Sequence, residues 1–186
     1  MTIRHRLPLK IFLLILLISP ACSGEETGNS PSANASVSGQ QEHGPIQWLS
    51  FDEGLVKATR DNKPIFIEFY TNWCVYCKKF HRETMRDQNV ISMMAENFIS
   101  VRLNAEDPNS SNKFQGKSMS NVELTRFFGI RGFPSLVFLD PDANPITLVP
   151  GFMPAPQFLA ILNYIDQRCY QTKISFQEFV QNGNCN

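Results

Sequence analysis

Lys63-Pro64-Ile65-Phe66-Ile67-Glu68-Phe69-Tyr70-Thr71-Asn72-Trp73-Cys74-Val75-Tyr76-Cys77-Lys78 is the stretch on which the fold turns. Ile65 to Tyr70 is an apolar run of strand length interrupted only by Glu68, the pattern of a central strand covered on both faces. Asn62-Lys63-Pro64 ends the helix that Phe51, Leu55 and Ala58 predict upstream. Downstream, Cys74 and Cys77 stand where the strand gives way to a helix expected through Met85. A helix N-terminus carries unpaired N–H groups and partial positive charge. That setting favours a thiolate over a thiol and makes Cys74 the expected nucleophile. Cys77, one turn into the helix and less exposed, is the expected resolving thiol of a redox disulfide. Two such cysteines could also form half of a structural zinc site, which takes four ligands. The remaining candidates, Cys169, Cys185, His43 and His81, form no second close pair, so the redox reading is preferred.

Outward from this centre, helical spacing predicts a second helix over 90–97, and the apolar run 99–103 predicts a strand. Residues 105–119 are polar and read as irregular. Ser120-Asn121-Val122-Glu123 has the capping-box pattern, and its helix is expected to run to Phe128, with Gly129 in the C-terminal turn. Residues 135–139 and 145–149 read as two strands joined by a turn over 140–144. Phe158, Ile161, Leu162 and Ile165 mark an amphipathic helix, and a short helix is expected over 175–181. Strands alternating with helices, closed by a hairpin and a helix, predict an α/β domain with a mixed central sheet flanked by helices.

The N-terminus has a different character. Arg4, His5, Arg6 and Lys10 precede an unbroken apolar run over 11–18, then Ser19-Pro20-Ala21. That is the layout of a secretory signal, too short for a span of about 20 residues. Cys22 follows immediately, as in a bacterial lipoprotein signal whose thiol receives a lipid. Such signals usually carry Leu three residues before the cysteine, where this chain has Ser19, so plain secretion with an idle Cys22 is the competing reading. The expected organisation is a signal peptide over 1–21, a polar disordered tether over 22–45, a domain over 46–168 and a C-terminal extension over 169–186. Of the five cysteines, Cys169 and Cys185 remain after Cys22 and the central pair. A structural Cys169–Cys185 disulfide would tie the tail to the domain in an oxidising compartment; a free or intermolecular thiol is the alternative. Lys plus Arg equals Asp plus Glu, 17 each, so no basic field attracts nucleic acid, and the membrane is reached only through a lipid on Cys22.

The segment 63–78, with Arg131-Gly132-Phe133-Pro134, resembles the central strand, active site and cis-proline loop of the thioredoxin superfamily. The resemblance covers 46–168 and is nearest to exported bacterial members: the C-terminal domain of the membrane reductant conductor DsbD, and SoxW-type thioredoxins. The SoxW likeness rests on residues 114–120, Pro150-Gly151-Phe152 and residues 175–179. The resemblance implies a thioredoxin-like fold and roles for Trp73, Cys74, Cys77, Glu68 and Pro134. Pro134 should follow a cis bond, a feature seldom found except before proline, beside the Cys74 sulfur. Phe133, where the family often has Thr or Ile, would narrow substrate choice or shift the redox potential. Glu68 takes the place of a buried Asp six residues before the first cysteine. A desolvated carboxylate holds a proton more tightly in general and can exchange it with a buried thiol, so Glu68 is expected to help deprotonate Cys77. Arg102, in Arg102-Leu103-Asn104, matches a family Lys facing that carboxylate; surface exposure is the other reading. His81, four residues after Cys77 on the same helical face, could act as a titratable neighbour, but a solvated surface His is the preferred expectation. Trp73 is expected to cover the disulfide and meet substrate.

The expected activity is reduction of disulfides in exported periplasmic proteins, with a DsbD- or CcdA-like membrane protein as electron donor. No flavin, NAD or metal signature is present, so no cofactor is expected. A disulfide-forming oxidant and a copper(I) metallochaperone, whose soft thiolates would be Cys74 and Cys77, are the alternatives.

Overall fold

The computed structural model describes residues 46–185. The signal segment, the tether and Cys22 lie outside them. Among the described residues no helix is long and apolar enough to cross a membrane.

Among the described residues seven strands and six α-helices follow one another: β1 (Trp48–Leu49), α1 (Phe51–Asp61), β2 (Ile65–Tyr70), α2 (Val75–Glu83), α3 (Gln88–Asn97), β3 (Ile99–Asn104), β4 (Asn112–Phe114), β5 (Lys117–Met119), α4 (Asn121–Phe127), β6 (Ser135–Leu139), β7 (Pro145–Pro150), α5 (Ala155–Asp166) and α6 (Phe176–Asn182), with a 3-10 turn at Cys169–Gln171. The main sheet has the order β1-β3-β2-β6-β7. β1 and β2 run parallel to β3, while β6 is antiparallel to both β2 and β7. This is the mixed α/β thioredoxin-like architecture that the sequence predicts.

β2 is central, and both its faces are covered. Ile65, Ile67 and Phe69 join Phe51, Ala58, Val101 and Leu124 in one core layer, under α1 and α4. Phe66 turns to the other layer with Phe80, Met94, Phe138 and Phe158, under α2, α3 and α5. Side chains alternate between faces along a strand, so Glu68 shares the face of Phe66. Two-sided burial is why this strand reads as a continuous apolar run.

Helix starts follow local chemistry. Ser50, Ser120 and Ser175 each form a capping box with the Glu three residues on. These contacts hold Glu53 and Glu178 below the ordinary carboxylate value, chiefly through the serine hydroxyl, and Glu123 chiefly through the Ser120 backbone N–H. Only the Ser120 box is among the sequence expectations. The pattern Ser-x-x-Glu at 50–53 and at 175–178 carries the same signal.

Two expectations need correction. Residues 105–119 are not irregular throughout: β4 and β5 pair as a hairpin with Phe114 opposite Lys117. The turn residues Gln115 and Gly116 both have positive φ, 49° and 76°, as a type I′ hairpin turn requires. Buried Phe114 anchors the hairpin against Phe51, Phe127 and Phe128. The helix after the cysteines ends at Glu83 rather than Met85, because Thr84 closes it and donates its hydroxyl to the Met153 carbonyl. β1 is unforeseen; two residues are too few to show a period. Cys169 lies in the 3-10 turn beyond α5.

At Gly54 the α1 backbone lies close against β3. A Cβ placed there would lie 2.4 Å from the Val101 methyl Cγ2, on a residue with no exposure. Gly54→Ala gains about 1 kcal/mol of helix propensity, but overpacking a filled core costs about 1–3 kcal/mol. The expected net result is a loss of about 1 kcal/mol, read as a lower urea midpoint at unchanged slope. An unchanged or higher midpoint would show that α1 can lift from β3 freely.

Candidate active site

The C-terminal end of β2 delivers the chain to Thr71, whose carbonyl accepts a 3.2 Å bond from Cys74 N–H. Cys74 is the N-cap of α2, and its Sγ accepts the Cys77 backbone N–H at 3.0 Å. An orphan donor of the helix terminus is thereby aimed at the sulfur that would carry negative charge. The first turn of α2 holds no acidic residue to oppose this. Cys74 and Cys77 form a disulfide with Cα atoms 5.3 Å apart. Their exposures are 3% and 1%, so in the disulfide state Cys74 itself is nearly covered, more than its nucleophile role alone suggests.

Around this pair lies an exposed apolar rim of Trp73, Val75 and Tyr76. Trp73 is held from two sides. Its indole N–H donates to both carboxylate oxygens of Glu106 at 3.0 Å, and its ring meets the Phe133 ring edge-on at 6.1 Å. The Phe133–Pro134 bond is cis. Because Phe69 pairs with Ser135 in antiparallel register, the segment before β6 arrives at the end of β2 from which the cysteines depart. The Pro134 carbonyl accepts the Gly151 N–H at 2.7 Å. Gly151 has φ +86°, which a side chain would strain. Three separate segments, 73–77, 133–134 and 150–152, thus converge. Glu106 is a contributor that sequence reasoning missed; no local pattern marks it.

Behind the cysteines, Glu68 is completely buried. Its Oε2 accepts from Arg102 Nε at 2.9 Å and lies 2.5 Å from His81 Nε2. Its Oε1 is buried without a partner, as is the Thr71 hydroxyl. Arg102 stands opposite Glu68 in the β2–β3 register, and its guanidinium lies 3.8 Å from the centre of the Tyr70 ring. The preferred expectation for His81 is overturned: it is not simply solvated. The i,i+4 step from Cys77 turns it inward onto Glu68, and Trp48 of β1 packs against its ring at 5.7 Å.

In the C-terminal extension the structure joins Cys169 to Cys185 with Cα atoms 5.3 Å apart. Among the described residues no group of three or more His, Cys, Asp or Glu side chains could hold a metal ion.

The family model described as a thioredoxin-like domain matches residues 51–166. The disulfide bond reductase DsbH of Chlamydia pneumoniae is 30% identical over 149 residues, covering 75% of this chain and 82% of that protein. The thiol:disulfide interchange protein DsbD of Actinobacillus pleuropneumoniae serotype 5b (strain L20) is 32% identical over 140 residues, or 74% of this chain. The chain spans only 22% of the length of that relative. Among solved structures, a thioredoxin-fold protein from Helicobacter pylori superposes with TM-score 0.55 at 23% identity, over 65% of this chain and 80% of that one. A DsbH oxidoreductase structure gives TM-score 0.54 at 20% identity, over 72% and 92%. These structural likenesses support the fold.

Proposed function

The chain belongs to the thioredoxin-like domain family, and from that premise we propose that it is an exported thiol–disulfide oxidoreductase that reduces disulfides in periplasmic proteins. The observation that carries this reading is the Cys77 N–H pointed at Cys74 Sγ. It supplies what a nucleophilic thiolate needs before any substrate arrives. The Cys74 thiolate attacks one sulfur of a substrate disulfide and expels the other as a thiolate. Cys77 then gives up its proton and attacks Cys74 Sγ in the mixed disulfide. The second substrate sulfur leaves, and the enzyme is left in the Cys74–Cys77 disulfide form. Two electrons and two protons from a donor restore the dithiol. A DsbD- or CcdA-like membrane protein is the proposed donor.

Glu68 is the proposed acceptor for the Cys77 proton. It is the only buried carboxylate among the described residues, and one of its oxygens has no hydrogen-bond partner. Pro134 and the Phe133 backbone are proposed to align the substrate chain, with Trp73 covering its sulfur. The reductive direction is supported by the relative named as a disulfide bond reductase. A SoxW-type setting, a lipid anchor on Cys22 and a stapling role for Cys169–Cys185 belong to the same proposal.

The deciding measurement is the reduction potential of the Cys74–Cys77 couple. A value near about −270 mV is expected, as for a reductant. A value near about −120 mV would reverse the direction of electron flow and make the protein a disulfide-forming oxidant.

A further inference from the structure

Resolution of the mixed disulfide requires a proton to leave a site that is sealed. Cys77 is 1% exposed and Glu68 fully buried, so a proton passed from one to the other has not reached water. We propose that His81 is the proton exit of this site, giving a proton to solvent when Glu68 takes one from Cys77. The inference rests on the disulfide-exchange reading above, though not on the direction of that exchange.

Three observations carry it. Glu68 Oε2 lies within hydrogen-bond distance of His81 Nε2 and already accepts Arg102 Nε. An ionised carboxylate oxygen can only accept and a guanidinium can only donate, so toward ionised Glu68 the Nε2 of His81 carries a hydrogen, and the proton that His81 can give up is the Nδ1 proton of its imidazolium form. His81 also spans the boundary: its side chain is 30% exposed against none for Glu68. It borders a cleft of about 300 Å³ with Ile46, Trp48, Met85, Arg86 and Ile91. Finally, Glu68 Oε1 is buried and unpartnered, which leaves the carboxylate one open acceptor position while Oε2 stays engaged. Arg102 cannot take the proton onward, because it has no acceptor site.

The charged and titratable groups about His81 are few. Glu68 approaches from β2 with Arg102 of β3 behind it, Cys77 lies one turn back on α2, and Arg86 shares the cleft. Trp48 from β1 and Phe80 cover the ring with apolar surface. The balanced step is: Cys77 S–H gives its proton to the open oxygen of Glu68, its electron pair forms the bond to Cys74 Sγ, the Cys74–substrate bond breaks, and the substrate thiolate departs. His81, its carboxylate partner now neutral, then releases the Nδ1 proton of its imidazolium to water, so one proton leaves for the one taken from Cys77.

The test uses the reduced full chain and dithiobis-nitrobenzoate, whose coloured thiolate appears in two phases. The first reports attack by Cys74 and the second resolution by Cys77, irrespective of physiological direction. His81→Gln keeps an amide donor for Glu68 but cannot carry a proton. The expected result is an unchanged first phase and a second phase slowed at least about tenfold, with the wild-type inflection in its pH profile gone. In the unaltered chain the second phase alone should slow in heavy water. A second phase of wild-type rate and pH profile in His81→Gln would overturn the proposal. So would equal slowing of both phases with a lowered urea midpoint, which marks a packing role. An absent heavy-water effect would overturn it without any variant. The reduction potential is read separately, so a wrong direction of electron flow and a wrong proton exit give different results.

Discussion

Cys77→Ser is expected to stop turnover and leave the chain covalently joined to its substrate. The donor to Cys74 Sγ is the backbone N–H of residue 77, which serine retains, so the first attack proceeds. Only the resolving sulfur is lost. A well-placed intramolecular nucleophile acts at effective concentrations of about 10⁵ M or more. Millimolar thiol in the assay replaces it poorly, and steady-state turnover should fall about a thousandfold or more. Intact-mass measurement without reductant should show one adduct per chain at Cys74, and Cys74→Ser should show none at the pair. Adduct-free turnover by Cys77→Ser would mean that Cys74 does not attack first.

The second large effect concerns stability. Phe66 is fully buried and lies between three rings, with centroids 6.1 Å from Trp48, 5.4 Å from Phe138 and 5.5 Å from Phe158. Phe66→Ala removes those contacts and leaves a cavity in the layer between β2 and α5. The expected cost is about 3–5 kcal/mol, a large part of the 5–15 kcal/mol by which domains are usually stable. In thermal terms this is a drop of roughly 10 °C. Urea unfolding checks it through the midpoint at unchanged slope. A loss below about 1 kcal/mol would show that the aromatic layer closes over the gap.

The parts of the molecule that could be read from sequence are those where one local rule acts without competition. The β2 run is legible because burial on both faces removes polar residues from it, and Glu68 stands out for the same reason. The cysteine pair is legible because its placement after a strand and its spacing are local. The Ser120 helix is legible from its cap. What could not be read is what the register assembles. His81 and Glu68 are 13 residues apart in sequence and meet only because α2 folds back over the Glu68 face of β2. Arg102 reaches Glu68 across the β2–β3 pairing, which resemblance hinted at and periodicity could not. Glu106 meets Trp73 over 33 residues, and β1 is shorter than any period. The hairpin of β4 and β5 was hidden by polar composition, since its only strong signals are Phe114 and the Gln115-Gly116 turn.

The positions of the aromatic rings have an optical consequence. The chain has two tryptophans, and both stand at this site: Trp73 directly precedes Cys74, and Trp48 lies against His81 at 5.7 Å. Indole emission is quenched by a neighbouring disulfide and by a protonated imidazole. The fluorescence of the unlabelled protein therefore holds two separable signals, one following the sulfur pair through each cycle and one following the charge on His81. With Trp48→Phe and Trp73→Phe each silencing one channel, the molecule becomes its own two-colour-free indicator of electron and proton movement.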